Sequence, residues 1–134
     1  MADSFKFELV SPERLVVSQD VTAVVAPGTE GYMTVMAHHA PLMATLKAGI
    51  VEVTLAGGAT QRIFIQGGFA DINPQGFTLL AEQAADVADM DAADLDRRIE
   101  TAREDAASAA EGDPKVRAEQ RLNDLVNARD ALRA

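Results

Sequence analysis

The chain has 134 residues and no cysteine, with 21 acidic against 12 basic side chains for a formal net charge of −9. That balance excludes a nucleic-acid or anionic-membrane binder, which needs clustered Lys and Arg, and the missing cysteines exclude a disulfide framework and thiolate metal sites. No apolar run approaches the roughly 18–20 residues of a spanning helix, so direct membrane insertion is not expected; the polar, alternating start from Met1 to Glu8 predicts a soluble, unsecreted protein.

Residues 1–88 read as β structure. Phe5, Phe7 and Leu9 alternate with polar neighbours, and short β-branched runs follow at Leu15 to Val17, Val21 to Val25 and Ile50 to Leu55, which predict strands of about five residues. Breaks are expected at Ala26-Pro27-Gly28, Gly57-Gly58, Gly67-Gly68 and Asn73-Pro74-Gln75-Gly76, where Gly and Pro supply turn dihedrals. Turn signals every 8–12 residues or so favour an antiparallel sandwich or barrel, and Gly57-Gly58 is the clearest hairpin.

Residues 89–134 read as two helices. Leu95, Ile99, Ala102, Ala106 and Ala109 step by four and three, as do Ala118, Leu122, Leu125, Arg129 and Leu132. Between them Gly112 suits a left-handed helix stop, Asp113 an N-cap and Pro114 the first helical turn. The fold class expected is therefore α+β: an N-terminal antiparallel β-sandwich over 1–88, then a C-terminal antiparallel two-helix hairpin over 89–134. Because the first seam is mostly alanine, little apolar area is buried and the hairpin is expected to be marginal alone.

Charge is uneven along the chain. Residues 1–88 carry nine acids and four bases (−5), 89–114 nine and three (−6), and 115–134 three and five (+2). A mildly basic last helix beside an acidic one can pair across the hairpin seam, seek an acidic partner surface, or simply be solvated.

Catalytic signatures are missing from the sequence. Ser4, Ser11, Ser18 and Ser108 sit in no GxSxG elbow, and there is neither a GxxxxGK phosphate loop nor an HExxH zinc helix. Adjacent His38 and His39 diverge if they lie in a strand and make a poor chelating pair. No catalytic residue, metal or cofactor is expected. On the residues alone, a small ligand-binding or enzymatic β-sandwich whose hairpin drives oligomerisation stays open.

The stretch from Glu30 to Leu42, EGYMTVMAHHAPL, fits the pattern EGxxxVxxxHAPL. With the QGGFADI stretch from Gln66 to Ile72 and the Ala-rich hairpin behind it, the chain closely resembles the epsilon subunit of the bacterial F-type rotary ATP synthase over essentially its whole length. The resemblance implies a non-catalytic rotor subunit that couples the gamma subunit to the c-subunit ring, peripheral on the cytoplasmic face of the cell membrane. It also implies a hairpin that modulates ATP hydrolysis through the alpha/beta catalytic head. Glu30, Gly31 and Tyr32 would lie in a loop facing the c ring, and His39, Ala40, Pro41 and Leu42 near the gamma and ring contacts. Singly, each has a plainer role: Pro41 sets a strand entrance, His39 satisfies a backbone carbonyl, and Tyr32 is merely exposed. One departure stands out. Relatives that bind ATP carry Ile/Leu-Asp-x-x-Arg-Ala at the start of the first helix, whereas Met90-Asp91-Ala92-Ala93-Asp94-Leu95 keeps the acid but puts a carboxylate in place of the arginine. That carboxylate repels phosphate; Asp91 serves as an N-cap, Asp94 favours the helix dipole, and Arg97 and Arg98 are out of register with the motif.

Overall fold

The computed structural model describes residues 3–89 and 92–133. The chain divides into two compact units, Met1–Ala88 and Asp89–Ala134.

In the first unit the strands are β1 Phe5–Ser11, β2 Arg14–Gly28, β3 Gly31–Met36, β4 Leu42–Leu46, β5 Gly49–Leu55, β6 Thr60–Ile65, β7 Gly68–Asn73, β8 Gly76–Ala81 and β9 Ala84–Asp86. They pair in the order β1-β8-β7-β4-β2-β5-β6-β9, with β3 added on β2 and a further pairing of β1 with β2. All ladders are antiparallel except β1 with β8, which run parallel from Phe7↔Phe77 to Val10↔Leu80. The sheet folds over into a sandwich because β2 belongs to both layers. Its first part pairs with β1 from Ser11↔Arg14 to Phe5↔Val21, and its second part pairs with β3 and β5. The register shifts between Val21 and Ala23, and a bulge there bends a strand from one layer into the other.

This long strand corrects the expected organisation. Leu15 to Val17 and Val21 to Val25 are one strand of 15 residues, and the expected break at Ala26-Pro27-Gly28 lies inside its end. Exposed Ser18, Gln19 and Asp20 interrupt the apolar run without interrupting the backbone, because all three keep their partners on β1. The other turns fall where Gly and Pro place them. Leu55 N–H donates to the Ala59 carbonyl at 2.8 Å and Gly58 N–H to the Leu55 carbonyl at 2.9 Å, closing the β5–β6 hairpin. Between β7 and β8, Gln75 N–H donates to Asn73 Oδ1 at 2.9 Å, the Asx turn that an asparagine before proline favours.

The core lies between the layers and includes Phe7, Leu9, Val24, Val53, Ile63, Ile65, Ile72, Phe77 and Leu79. Each such large apolar side chain contributes about 1.5–3 kcal/mol on burial. Phe7 and Phe77 sit opposite each other on the parallel pair, ring centroids 5.2 Å apart and planes at 82°, the edge-to-face packing that the ring quadrupoles prefer.

In the second unit, after a 3-10 turn at Val87–Asp89, α1 spans Ala92–Ser108 and α2 Asp113–Arg133. Leu95, Ile99, Ala102 and Ala106 are buried as the periodicity predicts, and Ser108 Oγ donates back to the Glu104 carbonyl at 3.0 Å where α1 ends. The α2 seam differs from expectation. Leu125 is buried, but Ala128 and Asp124 take the other buried places, while Arg129 is partly exposed; Leu132 falls outside the described side chains. Asp124, 7% exposed, accepts a 2.9 Å bond from Gln120 Nε2. Arg129 Nη1 approaches Asp96 Oδ1 across the seam at 3.9 Å, whereas its buried Nε has no hydrogen-bond partner. Leu95, Ile99 and Leu125 supply the large buried side chains of the hairpin, and the unbonded guanidinium nitrogen subtracts from what they contribute.

The start of α2 is also displaced. Gly112 has the positive φ expected of it, +99°, but it lies four residues beyond the end of α1 and its carbonyl accepts the Val116 N–H at 3.1 Å, so it rather than Asp113 caps α2; Asp113 and Pro114 are the first two residues of α2, which keeps Pro114 in the first turn as expected. Met90 and Asp91, the expected N-cap of α1, lie outside the described residues.

Candidate partner-binding surface

The surface starts from a tight turn. Gly28 and Gly31 face each other at the end of the β2–β3 ladder with Thr29 and Glu30 between them, and Gly31 has φ +139°, a conformation open to glycine but strained for other residues. Thr29 N–H donates to the Thr45 carbonyl at 3.1 Å and the two threonine hydroxyls meet at 3.0 Å, fastening the turn to β4. Glu30 is exposed at its tip. Gly31 and Tyr32 are the first residues of β3 rather than loop, because β2 continues through Pro27 and Gly28 to pair with them.

After β3, Met36 begins a turn in which His39 N–H donates to the Met36 carbonyl at 3.3 Å and His38 takes φ 67°. Positive φ at the third turn position is the type II geometry. The two histidines are thus in a turn, not a strand, yet they still diverge. His38 Nε2 lies 2.8 Å from Asp3 Oδ2, while His39 Nδ1 donates to the Ala40 carbonyl at 2.7 Å, the plain backbone role open to it. Pro41 immediately precedes β4, and Leu42 opens it.

The seven singled-out residues fall on two grooves. Glu30, Gly31, Tyr32 and Leu42 line one of about 550 Å³ with Met43 and Phe69. His39, Ala40 and Pro41 line another of about 380 Å³ with Met36, Phe5 and Ile72. No group of three or more His, Cys, Asp or Glu side chains in metal-binding proximity occurs among the described residues.

The sequence motif marks only one end of a larger apolar band. Leu15 pairs with Val10, Val10 with Leu80, Leu80 with Phe69 and Phe69 with Thr45, so these residues form one outward-facing rung across five strands and reach the larger groove. Leu15, Leu80 and Met43 on this face are exposed, Met43 at 66%, whereas Leu42 beside Met43 faces the other way opposite buried Ile72, and exposed Tyr32 and Met36 belong to β3 on the other layer. Scattered exposed apolar residues are ordinary, but a run of them across a sheet face is the mark of an interaction site. Period-two alternation carries part of the signal: Val35 and Leu46 point inward, which turns Met36 and Met43 outward. Joining Leu15 to Leu80 requires the β1–β8 pairing, which local sequence does not reveal.

On α1, Asp94 lies in the first turn and is ion-paired with Arg97, so the nearest guanidinium to the altered motif is already engaged by a carboxylate. Leu95 is buried in the hairpin seam.

Residues 4–87 match the family model described as the β-sandwich domain of the ATP synthase delta/epsilon chain. An ATP synthase epsilon chain of Mesorhizobium japonicum is 57% identical over 132 residues, covering 98% of both chains, and one of Brucella anthropi is 49% identical over the same length and share. Among solved structures, a chain of the Euglena gracilis mitochondrial ATP synthase, from a structure of OSCP, F1 and the c ring, superposes with a TM-score of 0.80 at 27% identity, covering 96% of this chain and 81% of its own. A chain from the central stalk and c ring of the Tetrahymena thermophila enzyme shares the fold, with a TM-score of 0.72 at 9% identity over 99% and 98% of the two chains. Matched along the β unit by the family model and along nearly its whole length by these relatives, the chain belongs to the ATP synthase epsilon family.

Proposed function

We propose that the chain is a non-catalytic central-stalk subunit that couples the gamma subunit to the c ring, using the surface built around Glu30 to Leu42. The observation that carries this reading is the continuous outward apolar band from Leu15 through Leu80 and Phe69 to Met43, with the Glu30 turn at its edge. A band of that kind buries against a protein, and its polar border sets orientation. No helix among the described residues is long and apolar enough to cross a membrane, which suits peripheral attachment through the complex at the cytoplasmic face of the cell membrane.

The hairpin takes the regulatory part of this proposal. Its buried apolar residues, among those described, are three large side chains, Leu95, Ile99 and Leu125, beside small Ala102, Ala106 and Ala128, so it is held by far fewer large apolar contacts than the sandwich, and Lys115, Arg117, Arg121, Arg129 and Arg133 are the bases of its last helix that would face an acidic alpha/beta head. Exposed ion pairs contribute about 0–1 kcal/mol each, so the brake is expected to be modest. Deleting residues 89–134 should leave co-purification with gamma and proton coupling intact while hydrolysis by the reconstituted enzyme changes less than about tenfold, equivalent to about 1.4 kcal/mol in a two-state inhibition equilibrium. Failure of the folded truncated chain to bind, where the full chain binds, would move the interface to the hairpin.

ATP is not expected to regulate this hairpin directly. Calorimetry on the isolated chain should detect no specific heat at millimolar ATP, because Asp94 repels phosphate and holds Arg97. Micromolar affinity would overturn the charge argument. Asp94→Arg is the informative variant for gain of binding; changing Leu95 to alanine as well would empty the seam and cost about 2–5 kcal/mol.

A further inference from the structure

We propose that Tyr32 is a positioning residue: its phenol caps the backbone N–H of Ile50 where Pro27 interrupts the sheet, and this latch holds the Glu30 turn in the geometry that a partner binds. The inference rests on the surface reading above and adds the device that sets its shape.

The β2–β5 ladder runs from Val21↔Leu55 to Val25↔Glu52, and continuing that register would place Pro27 opposite Ile50. Pro27 has no N–H to give, and its carbonyl is already taken by Lys47 N–H at 2.9 Å. Ile50 is buried, and a buried N–H without an acceptor is costly. Tyr32, paired with Pro27 on β3, reaches over it, and its hydroxyl oxygen accepts the Ile50 N–H at 3.2 Å. The Lys47 ammonium stands 5.9 Å from the centre of the same ring, within cation–π reach. The neighbouring backbone is shaped around the phenol: a Cβ on Gly49 would come within 2.7 Å of both the Tyr32 hydroxyl and Pro27 Cβ.

One half-exposed side chain therefore ties the β2–β3 turn to the β4–β5 turn, while the outer part of its ring lines the larger groove. Glu30 lies two residues before this tether and Leu42 lines the same groove, so releasing the phenol loosens the turn, which keeps its Thr29–Thr45 bonds to β4, without touching the sandwich core.

The test compares Tyr32→Phe, which keeps the ring and removes only the acceptor, with Gly49→Ala, which keeps Tyr32 and displaces its hydroxyl. Both are made in the full chain. Amide exchange followed by NMR should accelerate at Ile50 by roughly 3- to 10-fold in each variant, with β1 and β8 amides unchanged. In Gly49→Ala the emission of Tyr32, the chain's sole tyrosine with no tryptophan present, should become more quenchable by acrylamide. Affinity for ATP synthase stripped of its epsilon chain should fall roughly 3- to 10-fold in both variants. Unchanged Ile50 exchange overturns the latch. Faster exchange with undiminished affinity, where Glu30→Ala does weaken binding, confines Tyr32 to a structural role and overturns the positioning claim while the surface reading stands. If neither these variants nor Glu30→Ala alters affinity, the surface reading fails and the positioning claim fails with it.

Discussion

Phe7→Ala is expected to destabilise the sandwich by about 3–5 kcal/mol, enough to unfold a large fraction of a marginal domain. Phe7 is fully buried, stacks edge-to-face on Phe77, and belongs to β1, the strand that pairs antiparallel with β2 and parallel with β8. Truncation therefore empties a cavity at the place where the sheet doubles back, and neighbours held on both sides have little freedom to collapse into it. Urea unfolding followed by far-ultraviolet circular dichroism measures the effect through the midpoint at constant slope. A loss below about 1 kcal/mol would mean that the two layers can close over the gap, and that the Phe7–Phe77 contact is not central to the fold.

Met43→Asp is expected to lower affinity for epsilon-depleted ATP synthase by tenfold or more, equivalent to at least about 1.4 kcal/mol, while fold stability falls by no more than about 1 kcal/mol through repulsion from Asp71 across the ladder. Met43 is the most exposed large apolar residue on the band and lines the same groove as Tyr32 and Leu42. A carboxylate there is hydrated in the free chain, where its repulsion from Asp71 opposite it on β7 costs up to about 1 kcal/mol, but it must be desolvated against an apolar partner. Thr60→Asp, an equally simple charge change at an exposed position on β6, serves as the control. Equal affinities for the two variants would remove the band from the interface.

The sequence by itself determined the two-part organisation, the positions of most turns and the buried face of α1. Gly57-Gly58 and Asn73-Pro74-Gln75-Gly76 act through dihedrals and local hydrogen bonds, and Leu95, Ile99, Ala102 and Ala106 through a helical period, so both signals are complete within a few residues. The EGxxxVxxxHAPL stretch supplied candidate residues from Glu30 to Leu42 through resemblance alone, since no local period or turn signal singles them out as a surface. Only the tertiary structure decided what depends on distant partners. Leu15 to Val25 is one strand because β1 pairs across its polar middle, and Leu15 and Leu80 share a surface because β1 bridges them. Tyr32 shows the division within a single residue. Its place in the motif is local, but its tie to Ile50, 18 positions further along the chain, exists because the Pro27 carbonyl is taken by Lys47 and leaves the Ile50 N–H unpaired in the β2–β5 ladder. An orphaned backbone donor takes the nearest acceptor in space, and separation along the sequence does not say which side chain that is.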